Sequence, residues 1–356
     1  GIDPQTADGK RTLERLLALR AHLAREIPPR DLFGNLLLAT WNIREFDSPA
    51  YGERVPEAMY YIAEIVDRFD LIAVQEVRRD LRALRRLCDI LGGYWDYVVS
   101  DVTEGTSGNN ERMAFLYDSR KVHFGGLAGE LVLPPVETVN EAGEKVTTPV
   151  EQIVRTPLMC GFKAGWSDFI LCIVHIRYGS SQAEDPQRVR EIGEIAEFLR
   201  GRTFDRTAWS RNLVVLGDFN IFKTTDETMK ALTDAGFTVP EELHNLPSNA
   251  PKSKFYDQIA FRVRRDRFGT TGRAGVFDYY QTVFRDEDEA IYAPLMGERY
   301  NVTSHGDVRD EASKRRYYRT YWRTFQMSDH LPMWVELKID YSDDYLQRRL
   351  DAANDA

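Results

Sequence analysis

Asn212-Leu213-Val214-Val215-Leu216-Gly217-Asp218-Phe219-Asn220 is the stretch on which the fold of this chain turns. Four apolar residues without alternation, closed by Gly217, read as a strand buried on both faces that ends at a tight turn. That turn presents Asp218 and Asn220. A carboxylate and an amide two residues apart can address one hard cation or one phosphate oxygen. The same residues also make an ordinary polar turn, so the weight rests on whether other strands end alike.

They do. Residues 36–40 are apolar and lead into Trp41-Asn42-Ile43-Arg44, and residues 71–74 lead into Gln75-Glu76-Val77-Arg78. A strand over 112–117 is preceded by Glu111, and an antiparallel pair over 158–164 and 169–175 ends at His175. A strand over 255–261 carries Asp257, and a last one over 334–339 is entered through Ser328-Asp329-His330. Between them the 3.6-residue period predicts helices over 58–69, 80–91, 187–200 and 226–235. Residues 12–26 read as an amphipathic helix with a stripe of Leu13, Leu16, Leu17, Ala21 and Ala24. Core packing is its expected use, with a partner surface as the alternative. Residues 134–149 read as an exposed polar excursion, and 284–325 as a charged, aromatic insertion without a clear period.

Helices interleaved with strands throughout, with no Gly-rich linker, predict one α/β domain. Its expected limits are 31–340 with an insertion at about 286–325, after an N-terminal helix within 1–30 and before a tail over 341–356. The 356 residues are 43% hydrophobic and 29% charged, a globular composition. A net charge of -9 argues against non-specific adhesion to nucleic acid or anionic membrane and leaves a locally basic groove open. Cys88, Cys160 and Cys172 sit in apolar contexts and favour free thiols and a cytoplasmic location. A pairing of Cys160 with Cys172 across adjacent strands stays open. No apolar run reaches about 18 residues, so stable membrane insertion is not expected. The chain opens without Met, which leaves an exported form open; oligomeric state is not legible.

The strand-end residues suit one chemistry. Breaking a phosphodiester needs a cation to neutralise charge, a base for water and support for the leaving oxygen. Asn42, Glu76 and Asp329 are hard oxygen ligands, suited to Mg2+ or Mn2+ rather than zinc. His175 and His330 suit proton transfer. A carboxylate behind each imidazole would fix its tautomer, and Glu111 and Asp257 are the candidates. His22, His123, His244 and His305 lack such a context.

Taken in order, these motifs resemble the endonuclease/exonuclease/phosphatase superfamily, and within it deoxyribonuclease I, over about residues 36–337. The resemblance is carried by Trp41-Asn42-Ile43-Arg44, Gln75-Glu76-Val77-Arg78, Glu111-Arg112, Arg155-Thr156-Pro157, His175, Gly217-Asp218-Phe219-Asn220, Tyr256-Asp257-Gln258-Ile259 and Ser328-Asp329-His330. It implies a four-layer α/β sandwich, two packed mixed β-sheets flanked by helices, with the site at one edge. It implies metal-site roles for Asn42, Glu76 and Asp329, and places Asp218 and Asn220 at a second metal or the scissile phosphate. It implies proton transfer by His175 with Glu111 and by His330 with Asp257, and phosphate contact by Arg155 beside Arg112. Arg78 matches an arginine that deoxyribonuclease I places in the DNA minor groove, a narrow, negative channel that attracts a guanidinium.

Two departures touch the substrate rather than the chemistry. The place of a groove tyrosine is taken by Asn109 or Asn110, and the secreted enzyme's disulfide cysteines have no counterparts. The segment 314–323, Lys-Arg-Arg-Tyr-Tyr-Arg-Thr-Tyr-Trp-Arg, interleaves bases with aromatics. It reads equally as a phosphate-holding, base-stacking surface and as a strand whose rings pack and whose arginines are solvated. The expectation is a Mg2+-dependent phosphodiesterase acting on nucleic acid, DNA in the first place, with Mn2+ as a substitute and Ca2+ as a structural ion. The alternatives are a lipid, inositol or nucleotide phosphoesterase and a silent binding module on the same scaffold.

Overall fold

The computed structural model describes residues 1–46, 48, 53–103, 110–264 and 268–354; Asn109 lies outside the described residues. The strands are β1 (Asn35–Phe46), β2 (Leu71–Arg78), β3 (Trp95–Val99), β4 (Glu111–Asp118), β5 (His123–Glu130), β6 (Val136–Val139), β7 (Lys145–Thr148), β8 (Leu158–Ala164), β9 (Ser167–His175), β10 (Leu213–Asp218), β11 (Asp257–Arg262), β12 (Gly269–Val276) and β13 (Met333–Lys338). A six-stranded sheet runs β12-β13-β1-β2-β4-β3 and a five-stranded sheet runs β11-β10-β9-β8-β5. The remaining pair, β6 and β7, forms a separate exposed hairpin inside the expected excursion.

Both sheets are mixed. In one, β1 pairs parallel with β2 and antiparallel with β13; in the other, β10 pairs parallel with β9 and antiparallel with β11. The inner faces meet in one core that joins Leu36, Leu38, Ala73 and Phe115 to Phe162, Leu171, Val215 and Ile259. The outer face of β1 and β2, with Leu37, Ala39, Trp41, Ile72 and Val74, is covered by α1 (Ala7–Glu26), α2 (Pro56–Val66) and α3 (Arg82–Leu91). Helices α4 (Pro186–Phe204) and α5 (Glu227–Asp234) cover the other sheet. Coverage on both faces is why these strands read as unbroken apolar runs. Two mixed sheets flanked by helices is the fold class expected from the sequence.

Gly217 makes the tight exit from β10 possible. Its φ is +140°, and a Cβ there would stand 2.0 Å from the Val174 carbonyl oxygen. The clash is with backbone of the paired strand and cannot be relieved by a rotamer change. Gly217→Ala therefore costs about 3 kcal/mol or more, read as a lowered urea midpoint at unchanged slope.

The structure corrects several local readings. On α1, Leu13 is 38% and Leu17 67% exposed, while Thr12, Leu19, His22 and Leu23 are buried. Polar anchors set this rotation: Thr12 Oγ1 lies 3.1 Å and Arg11 Nη2 2.9 Å from Glu57 Oε2 on α2. The region 284–325 is a succession of short helical turns that buries Tyr292, Tyr318, Trp322 and Phe325. One-turn helices leave no sustained period to read. Within it, 314–323 is helical rather than a strand; Tyr318 and Trp322 are packed inside, and Arg319 and Arg323 pair with Asp286 at 2.7 and 2.8 Å. Strands β5 and β12 were not expected. They lie at sheet edges, where one-sided burial leaves no apolar run. Cys88, Cys160 and Cys172 are all free. Cys160 stands opposite Leu171 and Met159 opposite Cys172, so the register turns the two sulfurs to opposite faces. Residues Ser342–Asn354 of the tail form a helix with no buried residue.

Candidate active site

Register gathers the strand ends. Asp218 closes β10 beside His175 at the end of parallel β9 and Asp257 at the start of antiparallel β11. In the other sheet β2 delivers Glu76, and β4 begins at Glu111 opposite Arg78. Strand β1 leaves its pairing with β2 after Asn42, and that irregularity, matched between Val74 and Val77, lifts Asn42 and Glu76 out of the ladder. Glu45, Glu76 and Asn220 adopt φ of 47°, 60° and 52°. Non-glycine residues rarely hold left-handed backbone unless the surroundings enforce it, and such strain concentrates at functional sites.

Three polar links join the sheets at this edge. Asn42 Nδ2 donates to Glu76 Oε1 and to Asp218 Oδ2, each at 3.0 Å. His175 Nδ1 lies 2.9 Å from Glu111 Oε2, and His330 Nδ1 lies 2.8 Å from Asp257 Oδ2. Each histidine then turns Nε2 to the same atom, Asp218 Oδ2, at 3.5 Å from His175 and 3.7 Å from His330. At His330 the hydrogen bond to Asp257 fixes the proton on Nδ1 and leaves Nε2 for exchange, whereas the Glu111 contact of His175 is a close charge–ring approach without hydrogen-bond geometry. Arg155 Nε lies 3.1 Å from the Glu111 oxygen that also faces His175. Asn220 donates its side-chain amide to the Ile176 carbonyl at 2.8 Å, and its backbone N–H to Asp218 Oδ1 at 2.9 Å.

Electrostatics mark the site as short of positive charge. Burial raises the Glu76 pKa, and Glu111 and Asp329 push it further up against the opposing pull of His175. Burial works against a charge on His330, but Asp257, Asp218 and Asp329 outweigh it and hold its pKa well above the ordinary histidine value. The Asp257 carboxyl is also raised by burial, with His330 opposing. For this pair the His330 direction prevails, because several carboxylates surround one imidazole, and the shared proton resides on the ring.

A divalent ion suits this donor set. Asn42 Oδ1 is buried without a hydrogen-bond partner. Reversing the amide would press that oxygen against Glu76 and Asp218, so its orientation is fixed by its neighbours. Asp218, Asp257 and His330 also offer ligand atoms within 4.8 Å of one another, a group able to hold a metal.

Not every expected residue joins the cluster. Arg112 faces away, as a residue next to Glu111 on a strand must, and Nη1 donates to the Ser100 carbonyl at 2.8 Å. Arg78 sits at the rim, 3.1 Å from Glu45 Oε2. Residues without an assigned role also shape the site. Ser328 Oγ donates to the Asn42 carbonyl at 2.6 Å and accepts from the backbone N–H of His330 and Arg44 at 3.0 and 3.1 Å. Ser248 Oγ accepts the Asp257 N–H at 2.9 Å, and the Glu45 N–H meets Glu76 Oε2 at 2.6 Å. A serine two residues before a histidine is a local signal for the first of these; Ser248 and Glu45 leave none.

Two mixed sheets with carboxylate-backed histidines and hard oxygen donors converging at one edge define a phosphoester-hydrolase sandwich. The chain belongs to the endonuclease/exonuclease/phosphatase family, whose profile matches residues 39–334. Members of this family act on phosphoesters as nucleases, phosphatases and phosphodiesterases, and are generally dependent on divalent metal. Among curated proteins nothing matches. Among solved structures, a functionally unknown conserved protein from Enterococcus faecalis V583 is 17% identical with a TM-score of 0.52, covering 85% of this chain and 99% of that one. The human Nocturnin catalytic domain with bound sulfate anion is 14% identical with a TM-score of 0.52, covering 86% and 96%. D. rerio TDP2 complexed with single strand DNA product is 11% identical with a TM-score of 0.50, covering 85% and 98%. At these identities the likeness is one of fold. No described helix is long and apolar enough to cross a membrane.

Proposed function

We propose that this protein is a Mg2+-dependent phosphodiesterase that hydrolyses nucleic acid, DNA in the first place, by in-line attack of water. The observation that carries the reading is the pair of carboxylate-backed imidazoles presenting Nε2 to one point, 3.5 and 3.7 Å from Asp218 Oδ2. Two proton-transfer groups on one locus are what a displacement with an entering and a leaving oxygen needs. His330, oriented by Asp257, takes the proton of the attacking water. His175, facing Glu111, supports the phosphate or the leaving oxygen; the reverse assignment of the two roles is the alternative. Asp218 and Asn220 orient the scissile phosphate, and Arg155 adds positive charge beside Glu111. Asn42, Glu76 and Asp329 are the residues that would hold Mg2+, which when bound supplies charge neutralisation for the transition state. Arg78 stands two residues beyond Glu76 at the rim and supports a polyanionic strand as substrate.

The test is an initial-rate screen of wild type and His330→Ala with Mg2+ on DNA, RNA, a sphingomyelin-type lipid and inositol phosphates. Metal-dependent turnover of nucleic acid, lost in the variant, is the expected result. Turnover of lipid or inositol phosphate alone would move the substrate elsewhere within the family. Equal absence of turnover in both proteins would leave a binding module.

A further inference from the structure

The nucleic-acid reading does not say what holds the nucleotide beside the scissile phosphate. At the site end of β9, β10 and β11 the adjoining loop carries an aromatic residue within three positions of a polar one. Tyr178 follows His175 by three positions, Phe222 follows Asn220 by two, and Tyr256 immediately precedes Asp257. Their rings form one row. Tyr256 lies 5.4 Å from the His330 ring between centroids, Phe222 lies 5.8 Å from Tyr256, and Tyr178 lies 5.8 Å from Phe222.

The row is braced. Arg188, fully buried on α4, has its guanidinium 4.7 Å from the Phe222 centroid and 5.4 Å from that of Tyr178. The same guanidinium donates to the carbonyls of Tyr178, Ser180, Gln182 and Ala183, which fixes the loop that presents Tyr178. Lys254 Nζ stands 3.8 Å from the Phe222 centroid. Rings that only fill a loop interior are buried, as Phe222 is at 4% exposure; Tyr178 is 44% exposed and still held in ring contact. A rigid, partly exposed ring costs little entropy when a planar ligand covers it.

Resting on the reading above, we infer that Tyr178 and Tyr256, with the buried Phe222 ring between them as support, form a stacking shelf for an unpaired base adjoining the scissile phosphate, so that the preferred substrate is a single strand. In a duplex the base faces are covered by their neighbours, and only an unstacked base can lie on a protein ring. The shelf starts at His330 and so at the reacting phosphate. The Lys254 ammonium beside it matches the charge of a flanking phosphate. Since every base offers a π face, the shelf selects for unpaired strand rather than for sequence.

Equilibrium binding of hydrolysis-resistant phosphorothioate strands in Mg2+ tests this. The probes are a base-bearing single strand, a strand of the same length with abasic sugars, and the matched duplex. The base-bearing strand is expected to bind about ten- to hundredfold more tightly than the abasic one, and more tightly than the duplex. Tyr178→Ala closes most of that gap and Tyr178→Phe keeps it. Equal binding of base-bearing and abasic strands, preference for the duplex, an unchanged gap in Tyr178→Ala, or no binding overturns the shelf. Hydrolysis of ordinary strands is scored separately. A gap without hydrolysis removes the catalytic reading and keeps the shelf, whereas hydrolysis without a gap does the reverse.

Discussion

Replacing His330 by alanine lowers phosphodiester hydrolysis by about 10²- to 10⁴-fold, the range expected for a lost proton-transfer group, while the fold survives. The backbone around His330 is anchored without its side chain. Its N–H meets Ser328 Oγ at 3.0 Å, and its carbonyl accepts from Trp41 Nε1 at 3.0 Å and from the Tyr279 hydroxyl at 2.8 Å. What the substitution removes is the ring, and with it the partner of the fully buried Asp257. Asp257→Asn is expected to lower the rate by a similar factor, because an amide at Nδ1 no longer dictates which ring nitrogen carries the proton. The two groups act as one device, so the double variant should be little worse than His330→Ala alone. Initial rates for the four proteins, with circular-dichroism melts as a control on folding, decide it. Near-wild-type rates in His330→Ala, or losses that multiply in the double variant, would remove the pair from the mechanism. The pH profile adds an independent reading. With its pKa held well above the ordinary histidine value by neighbouring carboxylates, His330 in the metal-free protein holds its proton more tightly than a free imidazole, which works against its action as a base. A bound cation would offset those carboxylates, so raising Mg2+ should move the acid limb of the profile to lower pH.

Much of this edge was legible because burial and chemistry left separate marks on the same strands. Residues 213–216 had to be a strand covered on both faces, and the polar residues directly after such a strand had nowhere to go but its end. The same reasoning located Asn42, Glu76 and His175. Distances across the two sheets were not legible. That Asn42 meets Asp218, and Glu111 meets His175, follows from how the sheets stack, and no local pattern encodes it. Arg112 shows the opposite failure: a motif places it beside Glu111, while strand alternation sends the next side chain to the other face. On α1 the apolar stripe rests on leucines and alanines alone, whereas a threonine and an arginine meeting Glu57 set which side faces inward. The aromatic row beside His330 leaves no local pattern, because its members lie on separate loops and each looks like an ordinary ring near a polar residue.

Glu76→Gln is expected to lower hydrolysis by about 10³-fold or more, since loss of a cation's charge neutralisation amounts to several kcal/mol of barrier and each 1.36 kcal/mol is tenfold. The variant keeps one acceptor for Asn42 or for the Glu45 N–H but loses the charge. Its second signature is thermodynamic and needs no substrate. In the metal-free protein Glu76 has its pKa raised by burial together with Glu111 and Asp329. Above its ordinary value of about 4.3, the unfolded chain loses the proton while the folded one keeps it. Ionisation therefore favours unfolding as pH rises toward the folded pKa. His330, whose folded pKa is also raised, contributes stability that is lost as pH rises through that pKa. Melting in a chelator should accordingly weaken from acid toward neutral pH. Mg2+ binds only the folded state and at a hundredfold excess over Kd adds about 2.7 kcal/mol, so the gap between the Mg2+ and chelator curves should widen as pH rises. In Glu76→Gln that gap should shrink at every pH. An equal Mg2+-induced rise in Tm for wild type and variant would show that the cation is held elsewhere, and the Asp218, Asp257 and His330 group would then be the one to substitute.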